Sequence, residues 1–257
     1  MIHYVVLTTG SCGNCYVISD EKTTIVVDCG VTFKKLGEEV AKHDIDFSTV
    51  SAMFLTHLHP DHAKGVGVFQ RKTLLPVFTS NESFLKGKTE MLKQRIELDK
   101  IHTFKWGDRI TIGSFTVIPF KTSHDSPGSS GYYIEHEDAS LFLMTDTGLI
   151  PEDAYVYAKQ SKVKFIEANY DPEMLDNGPY PLWLRERVKG CYGHLSNGVA
   201  VDFAREVSKH GDQIYFIHVS ENNNSIPILK KLAYSKLDTG IFCKCCERGE
   251  MFEGFIE

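Results

Sequence analysis

Uninterrupted apolar runs predict the strands at the centre of this protein. Residues 24–30 and 50–55 are rich in β-branched or other apolar side chains and do not alternate with polar positions. This pattern is typical of strands that are buried on both faces. Further apolar runs predict strands at 3–7, 16–19, 76–79, 109–112, 115–121, 131–135, 140–144, 164–168 and 213–217, and two short ones around Phe242 and Phe252.

Helices are predicted between these strands. One begins at Ser196 or Asn197, either of which suits an N-cap, and ends at Val207, ahead of Gly211. The others are predicted at 33–42, 63–69, 81–93, 182–188 and 226–237. A hydrophobic content of 42% in 257 residues is enough to bury a full core. Because no repeat, low-complexity tract or linker divides the chain, we expect residues 1–257 to form a single domain.

Four of the predicted strands end in a residue that can bind a metal ion. These residues are His57, His124, Asp146 and His218. A rigid strand places such a side chain at the rim of its sheet, where functional groups are common. One polar residue after a strand is ordinary, but four potential ligands are harder to explain in that way. We therefore expect the four to meet at one site.

The densest group of potential ligands lies in residues 56–62, directly after a buried strand. His57 and His59 are two positions apart, so in an extended segment both rings point to the same side. The following proline keeps His59 extended, and Asp61 suits the N-cap of a helix. This geometry sends two imidazoles to one point, and Asp61 with His62 to a second point nearby. The loop therefore predicts two adjacent cations rather than a solvated histidine-rich loop.

These residues, taken in order, resemble the metallo-β-lactamase fold superfamily. The ordered set is Asp28, His57-x-His59-x-Asp61-His62, His124, Asp146 and His218, and it spans nearly the whole chain. The resemblance is greater to the YycJ (WalJ) subfamily of bacterial exonuclease-like proteins. The runs that indicate it are Gly10-Ser-Cys-Gly-Asn14, Asp28-Cys-Gly30, Thr122-Ser-His-Asp125, Thr145-Asp-Thr-Gly148, Glu167-Ala-Asn-Tyr-Asp171, Gly193-His-Leu-Ser-Asn197 and His218-Val-Ser-Glu-Asn-Asn223.

The resemblance implies an α+β fold, a four-layer αββα sandwich, with two divalent metal ions at the rim between the sheets. It assigns His57, His59 and His124 to one ion, and Asp61, His62 and His218 to the other. It makes Asp146 the bridge between them, and Asp28 the acceptor of a hydrogen bond that orients a ligand imidazole. These ligand types favour zinc, while manganese or iron would also fit a dinuclear site with aspartates.

Departures from other branches of the superfamily favour phosphodiester hydrolysis. The third histidine stands in Ser123-His124-Asp125, whereas β-lactamases and glyoxalase-type thioesterases have Pro-Gly-His. His59 stands where flavodiiron oxidoreductases have glutamate. Two cations about 3.5–4 Å apart would lower the pKa of a bridging water, and the resulting hydroxide would attack phosphorus.

His194 is the candidate general acid for the leaving oxygen, and with Asp61 it completes the predicted catalytic residues. Histidine is the commonest general acid, and related phosphodiesterases place an active-site histidine in a similar loop. The alternative is a loop histidine that contributes only hydrogen bonds.

The predicted substrate is DNA, or RNA, degraded by an exonuclease. The net charge of −6 argues against a uniformly basic nucleic-acid binder. Local basic stretches occur at 86–95 and 185–189, although such stretches are usually solvated helix faces. The alternatives are a phosphodiesterase for a small cyclic or dinucleotide diester, a lactonase, and a non-catalytic adaptor. An adaptor has no need for the full set of ligands.

The termini and cysteines favour a cytoplasmic protein. The N-terminus lacks the pattern of a signal peptide, and no apolar segment is long enough to span a bilayer, so no membrane partner is expected. The seven cysteines do not form a disulfide framework. Cys243, Cys245 and Cys246 contain no CxxC pair, and we interpret them as structural rather than as a further metal site.

Overall fold

Two seven-stranded sheets form the centre of the protein. The computed structural model describes residues 1–137 and 139–256. The first sheet contains β1 (Ile2–Thr8), β2 (Cys15–Ser19), β3 (Thr24–Val27), β4 (Val50–Phe54), β5 (Val77–Ser80), β6 (Ile101–Phe104) and β14 (Phe252–Ile256), in the order β14-β1-β2-β3-β4-β5-β6. The second contains β7 (Ile110–Ile112), β8 (Phe115–Lys121), β9 (Ser130–His136), β10 (Ala139–Met144), β11 (Val163–Glu167), β12 (Gln213–Ile217) and β13 (Phe242–Cys245), in the order β13-β12-β11-β10-β9-β8-β7.

The described residues form ten α-helices, several of which cover the outer faces of the two sheets. They are α1 (Phe33–Lys42), α2 (Pro60–Ala63), α3 (Val66–Thr73), α4 (Asn81–Lys86), α5 (Lys88–Lys93), α6 (Glu152–Gln160), α7 (Pro172–Asn177), α8 (Leu182–Lys189), α9 (Asn197–Val207) and α10 (Ile226–Lys236). Apolar residues of α1 and α3 pack on the first sheet. Those of α6, α9 and α10 pack on the second sheet. Among the helices of the described residues, none is both long and apolar enough to cross a bilayer.

Aromatic side chains fill the space between the two sheets. Tyr4 of the first sheet meets Phe165 of the second edge to face, with ring centroids 5.5 Å apart. Phe54 meets Tyr132 in the same way at 5.7 Å. Burial of such rings on both sheets drives the sheets together. The predicted four-layer αββα sandwich is therefore confirmed.

Several boundaries differ from the sequence-based predictions. Asp61 is not an N-cap: α2 begins at Pro60, its N-cap is His59, and Asp61 lies in the first turn. Proline is favoured at the first helical position, because its missing N–H would have no partner there. The predicted helix at 81–93 is two helices, α4 and α5, separated at Gly87. Of the two N-caps predicted for α9, Ser196 and Asn197, the structure has Ser196, whose hydroxyl accepts from Val199 N.

Candidate metal centre

The carboxyl ends of six strands lie at one rim between the two sheets. On the first sheet, β3 and β4 run parallel and end at Asp28 and at the 56–62 loop. On the second sheet, β10, β11 and β12 also run parallel and end at Asp146, Glu167 and His218. β8 adds His124. Residues from distant parts of the chain therefore meet because their strands point in the same direction.

Three of these strand ends have a left-handed backbone. The φ angles are 59° at Asp28, 51° at Asp146 and 55° at His218. Such a conformation costs a non-glycine residue roughly 1–3 kcal/mol and persists only where the surroundings hold it. At His218 the backbone N–H donates to Thr9 Oγ1 at 3.0 Å. Each turn directs a carboxylate or imidazole into the rim, where a glycine would supply no ligand.

His57, His59 and His124 form the first group of ligand atoms. These atoms lie within 4.8 Å of one another. His124 Nδ1 donates to Gly193 O at 3.1 Å, which leaves its Nε2 facing the group, 3.3 Å from His59 Nδ1. Burial lowers the pKa of all three histidines. Neutral imidazoles are the form that binds a metal ion.

Asp61, His62 and His218 form a second group, also within 4.8 Å of one another. Asp28 holds His62 in place, because it accepts from His62 Nδ1 at 2.7 Å. Asp28 is itself fixed by Thr56, whose N–H and hydroxyl donate to it at 2.8 and 2.7 Å. Asp28 is thus in the position that the sequence predicts, while its role in supporting a metal ligand stays a prediction.

Asp146 lies between the two groups. Its carboxylate oxygens are 3.2 Å from His62 Nε2, 3.5 Å from His218 Nε2 and 3.7 Å from His124 Nε2. Burial alone would raise the pKa of Asp146, but the positive charge of His218 and His62 holds it well below its usual range. An ionised carboxylate in this position can reach a cation in either group.

The donor set fits divalent cations. Among the described residues, His57 Nε2 and His218 Nε2 are buried and have no hydrogen-bond partner. A buried polar atom without a partner destabilises the folded protein unless a ligand binds it. Burial would lower the pKa of His62, yet Asp28, Asp146 and Asp61 raise it to about 10. The carboxylates therefore attract positive charge into a buried site, which metal ions would supply in place of protons.

Glu167 is a central residue to which the sequence analysis gives no role. It is fully buried. Its Oε1 accepts from His194 Nδ1 at 2.6 Å and lies 3.2 Å from His218 Nδ1. Burial would raise the pKa of Glu167, but His194 and His218 lower it to about 2. The sequence does contain a feature that indicates Glu167 as a site residue. It is a carboxylate at the end of an apolar strand, as Asp146 is.

His194 lies on the solvent side of the centre. Its side chain is 17% exposed, and its Nδ1 is 3.7 Å from Asp146 Oδ1. Two residues from the runs that carry the family resemblance also lie here: Asn14 is buried, with its Nδ2 at 2.9 Å from His62 Nε2. Ser123 donates to Cys191 O, in the loop before His194. All of the predicted site residues are thus close to one another, and whether they bind metal stays a prediction.

About half of the cations in the two basic stretches pair with acidic residues. Lys86 pairs with Glu82, and Lys93 with Glu90. The second stretch pairs with Asp125 and Asp176. Four of the seven cations in the two stretches thus have an acidic partner, as expected for solvated helix faces. The cysteines take part in no metal-ligand group of the described residues.

Comparison with known proteins identifies the family. The chain matches the family described as "Beta-lactamase superfamily domain" over residues 23–219. The chain belongs to this superfamily. Membership confirms the family resemblance and the expectation of a metal-dependent hydrolase.

Two relatives are similar over nearly their full length. "Exodeoxyribonuclease YycJ" of Bacillus anthracis is 31% identical over 98% of this chain and 94% of its own length. "Exodeoxyribonuclease WalJ" of Streptococcus pneumoniae (strain D39) is 28% identical over 93% of this chain and 91% of its own length. The crystal structure of the metallo-beta-lactamase fold protein YhfI from Bacillus subtilis has a TM-score of 0.72 at 16% identity, and the alignment covers 98% of this chain and 99% of that one. That likeness concerns the fold alone.

Proposed function

We propose that this protein is a dinuclear metal-dependent phosphodiester hydrolase that degrades DNA as an exonuclease in the cytoplasm. The observation that carries the proposal is the pair of three-residue ligand groups with Asp146 between them. One ion would bind His57, His59 and His124, and the other Asp61, His62 and His218. Asp146 would contact both, and zinc is the proposed metal, with manganese or iron as alternatives.

The ions would supply a water of lowered pKa as nucleophile and neutralise the charge that develops on the phosphate oxygens. The residues of the chain hold this arrangement. Asp28 and Glu167 fix the rings of His62 and His218 through their Nδ1 atoms. Each Nε2 therefore points into the centre, and little reorganisation is needed on binding.

His194 is proposed as the general acid. Its Nδ1 donates to Glu167 at 2.6 Å, which leaves Nε2 as the atom that can transfer a proton. Because the ring is partly exposed at the rim, Nε2 can reach the oxygen of a departing nucleotide. The proton would pass from Nε2 to that oxygen as the P–O bond breaks.

The cavity on the His124 and His194 side of the candidate centre is too small to enclose a small diester. The cavity bordered by His124, Arg187, Tyr192 and His194 has a volume of only ≈ 10 Å³. Enclosed sites for small molecules usually measure about 300–1,000 Å³. A strand that lies across the open rim needs no such enclosure. The two relatives that align over nearly their full length are named exodeoxyribonucleases, which supports DNA as the polymer.

The test is a comparison of substrates. End-labelled single- and double-stranded DNA and RNA are incubated with the manganese- or zinc-loaded protein, beside a small aryl phosphodiester. We expect DNA to shorten progressively from one end, and Asp146→Asn, purified in the same way, to be inactive. Cleavage of the small ester with no processing of any polymer would overturn the exonuclease proposal, and processing of RNA alone would replace DNA as the substrate.

Salt dependence provides a second measurement. Because contacts to backbone phosphates release counterions, activity on DNA at subsaturating concentration should fall steeply between about 50 and 200 mM salt. Activity on the small ester should change little over the same range. Equal salt dependence for both substrates would argue against a polyanionic substrate.

A further inference from the structure

An exposed aromatic ring lies beside the candidate metal centre. Tyr192 is 66% exposed. It borders the same small cavity as His124 and His194, which belong to the candidate centre, and Arg187. A single exposed aromatic residue is ordinary on a protein surface. Its position at the rim of a proposed active site is what makes this ring notable.

The backbone that carries Tyr192 is held on both sides. Gly193 N donates to Gly190 O at 2.8 Å, and His194 N to Val188 O at 2.9 Å. On the other side, Ser123 Oγ donates to Cys191 O at 2.7 Å. A Cβ on Gly193 would lie 2.2 Å from Val188 O, so the turn packs tightly against the end of α8. The fold thus presents the ring from a fixed turn.

The ring has no structural role among the described residues. It takes part in none of their hydrophobic clusters, aromatic pairs or side-chain hydrogen bonds. Tyr157, by contrast, stacks on Tyr133 with ring centroids 5.1 Å apart. Because the fold does not use the Tyr192 ring, the ring is free to contact a ligand.

We propose that Tyr192 is a stacking platform for a nucleobase next to the scissile phosphodiester. The inference rests on the proposed function, since a phosphodiester held beside His124 and His194 brings its nucleoside to this rim. Every base has a π-face, so stacking binds a strand without reading its sequence. Alanine substitution of such platforms costs about 1–3 kcal/mol per base, which corresponds to a roughly 5- to 150-fold loss of affinity.

Binding of single-stranded oligonucleotides tests this role. Fluorescence anisotropy is measured with the metal-loaded protein on ice, and gel analysis shows that the probe stays intact. Tyr192→Ala should weaken binding at least fivefold, whereas Tyr192→Phe should retain it. Tyr234→Ala is the matched control, because Tyr234 is 59% exposed on α10 and does not border the centre. Its affinity should equal that of the wild type.

A second probe isolates the base. An oligonucleotide of the same length and charge, with its terminal three nucleotides abasic, should bind the wild type and Tyr192→Ala equally well. In hydrolysis assays, Tyr192→Ala should raise KM and leave kcat nearly unchanged.

These experiments distinguish failure of the stacking role from failure of the proposed function. The stacking role is overturned if Tyr192→Ala binds the normal probe as tightly as the wild type does. It is also overturned if the substitution weakens binding of the abasic probe as much as binding of the normal probe. Both outcomes hold whatever the hydrolysis assay gives. Absence of binding to any oligonucleotide overturns it as well. A wild type that binds the probe through Tyr192 but hydrolyses no polymer refutes the proposed function and leaves the stacking role supported.

Discussion

At the scale of single residues, Asp146 is the point on which both halves of the candidate centre depend. Its carboxylate is within 3.7 Å of ring nitrogens from both ligand groups. Asp146→Asn removes the charge with little change of shape. We expect the variant to lose both metal equivalents together and to lower activity by more than about a hundredfold. Mutation of residues that only support the metal ligands already lowers metal affinity or activity by about 10- to 100-fold.

Metal content of the purified variant, determined by elemental analysis, checks this prediction. Asp153→Asn is the control, since Asp153 is exposed in the first turn of α6. It should retain both equivalents. Full metal content in Asp146→Asn would show that Asp146 does not bridge the ions.

Glu167 should act through the ring of His194. We expect Glu167→Gln to lower kcat about 10- to 100-fold with KM nearly unchanged, because the amide cannot replace the charge that holds Nδ1. The measurement is a double-mutant cycle with His194→Ala in steady-state kinetics. The two effects should be far from additive, since both changes remove one function. Additive losses would mean that Glu167 acts mainly through its second partner, His218, and not through His194.

Spacing predicts some of these residues and cannot predict others. His57 and His59 follow from the two-residue period of an extended segment, and His124, Asp146 and His218 from their positions after apolar strands. Glu167 differs because its proposed role depends on a contact with His194, 27 positions away. Local pattern shows that a carboxylate ends a strand, but not which ring it will meet. That pairing depends on the packing of the whole rim.

At the scale of elements, Gly30 sets the distance between the end of β3 and the 56–62 loop. A Cβ at this position would lie 1.7 Å from Asp61 O and 2.5 Å from Asn14 N. The three segments are joined by backbone hydrogen bonds, including Asn14 N to Asp61 O at 2.7 Å. Gly30→Ala should therefore destabilise the protein by about 1–3 kcal/mol and weaken metal binding, because the loop must move away.

Urea unfolding and metal titration measure these two effects. Gly37→Ala is the matched control, because Gly37 lies within α1 and a Cβ there would meet no atom within 4 Å. Alanine is the better helix former, so this variant should be more stable by up to about 1 kcal/mol. Unchanged stability and metal affinity in Gly30→Ala would show that the segments can separate at no cost.

The sequence predicts best those helices and strands whose apolar residues form a clear run or period. The helix at 33–42 and the strand at 213–217 have their predicted boundaries. β6, α6 and α7 were not predicted. β6 is an edge strand whose middle residues, His102 and Thr103, are exposed, so it has no apolar run. α6 buries only Ala154 and Ala158, which give a weak helical period.

At the scale of the whole molecule, Asp20 joins the two sheets at the end far from the candidate metal centre. It lies in the turn between β2 and β3, and accepts from Ser114 and His136 of the second sheet. Burial alone would raise its pKa, but hydrogen bonds from Ser114, Lys22 N, Thr23 N and His136 lower it to about 2.

This pKa predicts a pH-dependent contribution to stability. A carboxyl whose folded pKa is depressed stabilises the protein above its unfolded pKa of about 4, and loses that contribution as the pH falls towards 2. Asp20→Asn should therefore have a lower Tm than wild type at pH 6, with a difference that shrinks below about pH 4. Glu21→Gln, at the exposed next position, should match wild type. A Tm difference that is constant from pH 6 to pH 3 would contradict the role of the charge.

The sandwich itself follows from the family resemblance rather than from the local pattern. Apolar runs indicate buried strands, but the order of strands within each sheet depends on contacts between distant segments. β14 pairs with β1, at the opposite end of the chain. No periodicity within either strand specifies that neighbour.

If the candidate centre binds metal ions as proposed, its position between the sheets would link metal supply to the lifetime of the fold. His57, His59, Asp61 and His62 follow a strand of one sheet, whereas His124, Asp146 and His218 follow strands of the other. Ions held by both sets would act as a removable cross-link, comparable to a disulfide between two halves of a protein. At a free metal concentration 100 times Kd, one such site adds about 2.7 kcal/mol to the free energy of unfolding. Cells short of the metal would then lose the protein through unfolding and proteolysis as well as through inactivity.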